Sequence, residues 1–142
     1  MDNLTKEQRH KNMQAIKSKD TSIEVMLRKA LWRQGIRYRK NYSKLVGKPD
    51  IVITKYKIAI FCDSEFWHGF DWSNAKLKIK SNQEYWIPKI EKNIARDQEN
   101  NQLLLDQGWI VIRLWEKEIR KTLPACVGRI KEAIERRKNI GE

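Results

Sequence analysis

Hydrophobic positions along the chain switch between helical and strand periods. Ile23, Met26, Leu27, Ala30, Leu31 and Gln34 fall on one face of a helical repeat, opened by the capping-box spacing Thr21-Ser22-Ile23-Glu24 and closed by Gly35, which predicts a core helix. The same spacing in Thr5-Lys6-Glu7-Gln8 predicts an earlier helix, so polar apart from Met13 and Ile16 that it suits an arm folding over a ligand. A short strand is expected at 37–42, and clearer ones at 50–54 and 57–62 around a tight Lys55-Tyr56 turn. The apolar run Ile58-Ala59-Ile60-Phe61 marks a central strand. Residues 70–83 have no clean period and read as a loop. An amphipathic helix follows at 84–107, with Trp86, Ile87, Ile90, Ile94, Leu104 and Leu105 inward, Pro88 in its first turn and Gly108 at its end. A buried strand at 109–115 and a basic helix at 124–138 complete the chain.

An antiparallel strand pair followed by a helical crossover into a further strand gives an α/β fold, a mixed sheet flanked by helices. A chain of 142 residues can bury such a core as one domain, here 21–142 preceded by a basic arm at 1–20. There is no internal repeat, linker or low-complexity segment. Cys62 and Cys126 are far apart with no metal-ligand spacing, which argues against a zinc finger, an iron cluster or a disulfide framework. No apolar run is long enough to span a membrane, and the Met1-Asp2-Asn3-Leu4-Thr5-Lys6 start lacks the apolar stretch of a secretion signal, so a cytoplasmic protein without membrane partners is expected.

Charge changes the picture. The formal net charge is +12, and it sits at the two ends: 1–40 carries eleven Lys/Arg against four Asp/Glu, 113–138 nine against four, and 41–112 ten against nine. Basic flanks around a near-neutral centre suit phosphate contacts by the flanks, with Lys17 and Lys19 among the contacting residues and Met13 and Ile16 docking in a groove. DNA or RNA is the expected partner; the alternative is simple solubility.

The centre holds the candidate chemistry. Lys48-Pro49-Asp50 opens the hairpin, and Cys62-Asp63-Ser64-Glu65-Phe66-Trp67-His68-Gly69 closes it. Asp50 at one strand start and Asp63 just past its partner's end reach the same sheet edge, where Mg²⁺ could bridge them; Glu65 could complete that shell or hold a second ion. Like charges facing each other across a hairpin need such a reason. Pro-Asp, twelve residues, then Asp-x-Glu resembles the PD-(D/E)xK nuclease superfamily, with its restriction-endonuclease-like core, with Glu65 where lysine is usual.

Neighbouring residues sharpen the likeness. Lys11-Asn12-Met13-Gln14-Ala15-Ile16, Asp20-Thr21-Ser22-Ile23-Glu24, Lys48-Pro49-Asp50, Phe66-Trp67-His68-Gly69, Tyr85-Trp86, Asn93-Ile94-Ala95-Arg96-Asp97, Gly108-Trp109-x-Val111 and Trp115-Glu116, in that order, resemble the very-short-patch-repair (Vsr) DNA mismatch endonucleases. The resemblance implies an Mg²⁺-dependent nick in one strand of duplex DNA beside a T:G mismatch, in DNA repair. It implies Asp50 and the Cys62 backbone carbonyl as metal ligands, His68 as general base, and Glu24 and Asp97 in support. Phe66, Trp67 and Trp86 would wedge into the base stack. It also implies other repair proteins as partners, and a single nicking site needs only a monomer. Two departures stand out. Family members carry structural-zinc ligands where this chain has Glu65, the 70–72 stretch and Lys117, so no zinc is expected. The family's histidine at the Asp63 position is replaced by a carboxylate, which makes Asp63 a candidate Mg²⁺ ligand.

Several of these residues have plainer readings. Glu24 fits its capping box without catalysis, His68 could be a core histidine, Asp97 a surface charge, and Trp86 a core residue. Two rival functions remain: a restriction-type endonuclease that is sequence- or structure-specific, and a DNA-binding protein that has lost cleavage.

Overall fold

The computed structural model describes residues 20–140 of the chain. The first expected helix, the arm and its contacts Met13, Ile16, Lys17 and Lys19 lie outside the described residues. Helix α1 spans Ser22–Arg33. It starts as the capping box predicts, Glu24 Oε2 accepting the Thr21 N–H at 3.0 Å. Ile23, Leu27 and Leu31 face the core, whereas Gln34 is the exposed C-cap rather than a core position.

Strands β1 (Arg39–Lys40), β2 (Ile51–Ile53), β3 (Ile58–Asp63) and β4 (Ile110–Trp115) form a sheet in that order, β1–β2–β3 antiparallel and β4 parallel to β3. The mixed sheet expected from the strand order is therefore present. The first strand is shorter than 37–42 because only Arg39 and Lys40 meet partners on β2. The connection after β2 is a 3-10 turn at Thr54–Tyr56 that leaves Lys57 in the left-handed region at φ 53°, in place of a two-residue hairpin turn.

β3 is buried on both faces, and its alternation divides the core. Ile58 and Ile60 meet α1, α4 (Glu116–Lys121) and α5 (Leu123–Ile140); Ala59 and Phe61 meet Leu104 of α3 (Gln83–Asp106). Each fully buried isoleucine contributes about 1.5–3 kcal/mol. The layers are helices, sheet, helix.

The remaining differences from the sequence reading have local causes. Residues 72–78 form helix α2 (Trp72–Lys78) inside the expected loop. Its side chains are at most half-buried, so no apolar period marks it. On α3, Ile90 and Leu104 are buried, Trp86, Ile87 and Ile94 are partly covered, and Leu105 is exposed. Pro88 lies inside α3, beyond its first turn; near an exposed end, water can serve the carbonyl it leaves without an N–H partner. The short helix α4 was not expected; its N-terminus is closed by Glu118 Oε1 accepting the Trp115 N–H at 3.1 Å. No described helix is long and apolar enough to cross a membrane.

Candidate active site

The site lies at the edge where β3 and β4 end and β2 begins. Asp50 immediately precedes β2, and Asp63 is the last residue of β3 rather than a residue beyond it. Asp50 Oδ2 accepts the Cys62 N–H at 2.7 Å, which fixes the carboxylate against the β3 backbone. Glu24 comes to the same place from the first turn of α1, only 3% exposed and in hydrogen-bonding reach of Asp50. The α1 terminus is tethered through Asp20, whose Oδ1 accepts from Arg28 Nη1 at 2.9 Å and from Asn41 Nδ2 at 3.0 Å. Burial pushes the Asp50 carboxyl up to about 8, with Glu24 and Asp63 adding to the rise and the Cys62 N–H opposing it. Carboxylate and carbonyl oxygens crowded at a desolvated edge are a donor set that fits a hard divalent cation, which would compensate their mutual repulsion.

Beside this pair stands a second group. One ligand atom each from Asp63, His68 and Asp97 falls within 4.8 Å of the others. His68 Nδ1 is 2.6 Å from Asp97 Oδ2, and Nε2 is 3.7 Å from Asp63 Oδ1. An ionised carboxylate only accepts, so Nδ1 donates to Asp97, and whenever the ring is neutral Nε2 is the bare nitrogen on the side of Asp63. Burial alone would lower the His68 pKa, but the Asp97 hydrogen bond and the Asp63 and Asp97 charges outweigh it and raise it. Burial also raises the Asp63 carboxyl, against the pull of His68 and Arg113. Arg113 Nη1 donates to Asp63 Oδ2 at 3.0 Å, which leaves Oδ1 as the carboxylate oxygen facing His68.

His68 is carried by the turn after β3, where Ser64 O accepts the His68 N–H at 3.2 Å and Glu65 O accepts the Phe70 N–H at 2.9 Å. Gly69 follows with φ +69°, and a Cβ there would collide with the Ile94 side chain. Only glycine lets this turn lie so close to α3. The same contact brings Asp97, less than a turn beyond Ile94, to the imidazole.

The turn also presents aromatics. Phe66, Trp67 and Trp86 form a mutual edge-to-face cluster with centroids 5.3–5.5 Å apart, and Tyr85 adds to it at 4.8 Å from Trp86. Phe66 is 49% exposed and Tyr85 56%. Lys89 Nζ lies over the Trp67 and Tyr85 rings at 5.4 and 5.1 Å.

Glu65 Oε1 accepts the Lys117 N–H at 2.7 Å on the first turn of α4. Phe70 packs edge-on to Trp115 at 5.1 Å and has Lys117 Nζ over its ring at 6.0 Å, so Lys117 touches both of the other positions singled out as departures from the zinc pattern. Sequence reasoning missed Arg113 and Asn101. The signal was available for the first: a single charge within an otherwise apolar strand.

Comparison with known proteins agrees with this architecture. The family model described as DNA mismatch endonuclease Vsr matches residues 1–74. The type II nicking enzyme V.NmeDIP of Neisseria meningitidis serogroup C is 46% identical over 142 residues, covering 100% of this chain and 96% of that protein. V.HpaIIP of Haemophilus parainfluenzae, also a type II nicking enzyme, is 51% identical over 122 residues, 85% of this chain and 86% of the relative. The DNA mismatch endonuclease Vsr of Escherichia coli K12 is 38% identical over 112 residues, 79% of this chain and 71% of its own length. With an acidic, histidine-bearing sheet edge and relatives matched along almost its whole length, this chain belongs to the Vsr family of DNA mismatch endonucleases and is an endodeoxyribonuclease.

Proposed function

We propose that this endonuclease nicks one strand of duplex DNA beside a T:G mismatch, in Mg²⁺-dependent hydrolysis of a phosphodiester in cytoplasmic DNA. The observation that carries the reading is the short turn joining the buried acids to the exposed aromatics: His68 is two residues from Phe66, and both rest on α3. Asp50, the Cys62 carbonyl and Asp63 Oδ1 would hold Mg²⁺, which when bound supplies a positive charge for the attacked phosphate. Glu24 supports Asp50 from α1. His68 Nε2 takes the proton of the attacking water, while Asp97 holds Nδ1 and stabilises the imidazolium that results. Phe66, Trp67 and Trp86 enter the base stack, at least cost where a mismatch has already weakened it. The names of the two nicking relatives favour a single-strand break over a double-strand one.

The test is cleavage of two matched, end-labelled duplexes, one fully paired and one with a single T:G mismatch, in Mg²⁺ and in EDTA. A nick in one strand of the mismatched duplex alone, lost in EDTA, is expected. Equal cutting of the paired duplex would replace mismatch repair with a restriction-type activity, and binding without cutting in Mg²⁺ would replace it with a DNA-binding role.

A further inference from the structure

We propose that Arg113 is a positioning residue of this active site, fixing the two carboxylates that grip His68 so that the imidazole has one orientation. The inference deepens the nicking reading above and rests on it.

Arg113 stands in β4 among Ile110, Val111, Ile112, Leu114 and Trp115, with only 17% of its side chain exposed. A desolvated guanidinium is costly unless every side of it is matched. Here the matches are specific. The guanidinium carbon lies 4.0 Å from the centre of the Phe61 ring, and Nε donates to Asn101 Oδ1 at 2.7 Å. Nη1 donates to Asp63 Oδ2 at 3.0 Å and faces Asp97 Oδ1 at 3.7 Å.

Each carboxylate therefore divides its oxygens. Asp97 gives Oδ1 to Arg113 and Oδ2 to His68 Nδ1; Asp63 gives Oδ2 to Arg113 and Oδ1 to the side of Nε2. Arginine, aspartate, histidine and aspartate close a four-membered ring of alternating groups. Two of its links are hydrogen bonds, at 3.0 and 2.6 Å, and two are ion-pair contacts at 3.7 Å, so each carboxylate is held on one side and oriented by charge on the other. Without Arg113, two acids flanking one ring would repel and rotate apart. Arg113 acts through Asp63 and Asp97 and needs no contact with the reacting atoms. Lysine cannot replace it: its three donors share one nitrogen, which cannot reach Asn101 and the two carboxylates together as the separate Nε and Nη1 of the guanidinium do.

The register makes the ring possible. In the parallel β3–β4 pair Phe61 lies opposite Arg113 and Asp63 opposite Trp115, so Arg113 shares the α3 face with Phe61 and Asp63. Asn101 lies one turn beyond Asp97 on α3, completing the support from the helix side.

The experiment is steady-state nicking of the mismatched duplex by the Mg²⁺-loaded enzyme, for wild type, Arg113→Lys, Asp63→Asn, the double variant and Asn101→Ala, each with a thermal melt. Arg113→Lys is expected to lower kcat about a hundredfold with KM held within about threefold. The double variant is expected to lose no more than the worse single one, because both break the same ring. Asn101→Ala keeps every charge and removes only the Nε acceptor; a several-fold fall in kcat at unchanged KM is expected, and this variant decides the matter if Arg113→Lys does not fold. Wild-type kcat in Arg113→Lys or in Asn101→Ala, losses that add in the double variant, or a fall carried equally by KM would overturn the proposal. A wild-type enzyme that nicks neither duplex would instead remove the nicking reading, and this inference with it.

Discussion

The two ends of the sheet carry opposite charge in opposite surroundings. Where β3 and β4 finish, Glu24 and Asp63 are buried and Asp50 is half-buried, the two aspartates held by a backbone N–H and a guanidinium with an imidazole facing Asp63. Around the 54–56 turn at the other end, Arg37, Arg39, Lys55, Lys131 and Lys138 line an open cavity of about 730 Å³ with Glu135 as the one acid among its lining residues. There Arg37 stacks on Trp32 at 3.4 Å and the cations stay solvated. Exposed charges cost little and need no special explanation. Buried like charges do, and this contrast supports the proposal that the acidic end is the functional one although the chain as a whole is strongly basic.

The sharpest way to break the contrast is to truncate side chains at each end. His68→Ala should lower kcat for nicking by about 10²–10⁴-fold, whereas Lys55→Ala combined with Lys138→Ala should leave kcat unchanged. A comparable loss from the basic end in the same assay would make the contrast meaningless for catalysis.

A smaller effect follows from Asp50. Its carboxyl rises from an ordinary 3.8 to about 8, so the folded protein holds a proton that the unfolded chain releases. A raised carboxyl contributes stability present below 3.8 and lost as pH climbs to about 8. Asp50→Asn does not titrate, so in EDTA its Tm should rise relative to wild type between pH 5 and 8 by on the order of 10 °C and level off above. Differential scanning fluorimetry of the two proteins checks this, and Mg²⁺ should narrow the gap. A gap that is flat with pH would mean that Asp50 is not desolvated as described.

The smallest expected effect is at Glu65. Glu65→Ala removes the acceptor for the Lys117 N–H and should cost about 0.5–1.5 kcal/mol in urea unfolding, with kcat unchanged. A large loss of activity would place Glu65 among the metal-holding acids.

Much of this molecule is visible in its sequence because its signals are local. Thr21 and Glu24 announce α1, Gly108 stops α3, and the run Ile58 to Phe61 declares a strand buried on both faces. Asp50 and Asp63 reach one edge by simple hairpin geometry. Other features depend on partners distant in the chain. Helix α2 buries too little to show a period, and Leu105 keeps the helical spacing yet faces water. Glu65 is claimed by Lys117, fifty-two residues away, and the Asp97 partnership with His68 depends on how closely the Gly69 turn meets Ile94. Arg113 was legible as an oddity in β4, but its meaning required the parallel register that sets it opposite Phe61.

The turn after β3 has one more consequence. The imidazole and the aromatic side chains are joined by two peptide units, and the Ser64 carbonyl and hydroxyl, which accept from His68 N–H and Trp67 N–H, keep that link from stretching. Such a link is a ruler. If Phe66 and Trp67 enter the duplex as proposed, the broken bond would lie at a distance set by the protein backbone, the same count of nucleotides from the insertion point in every DNA it cuts.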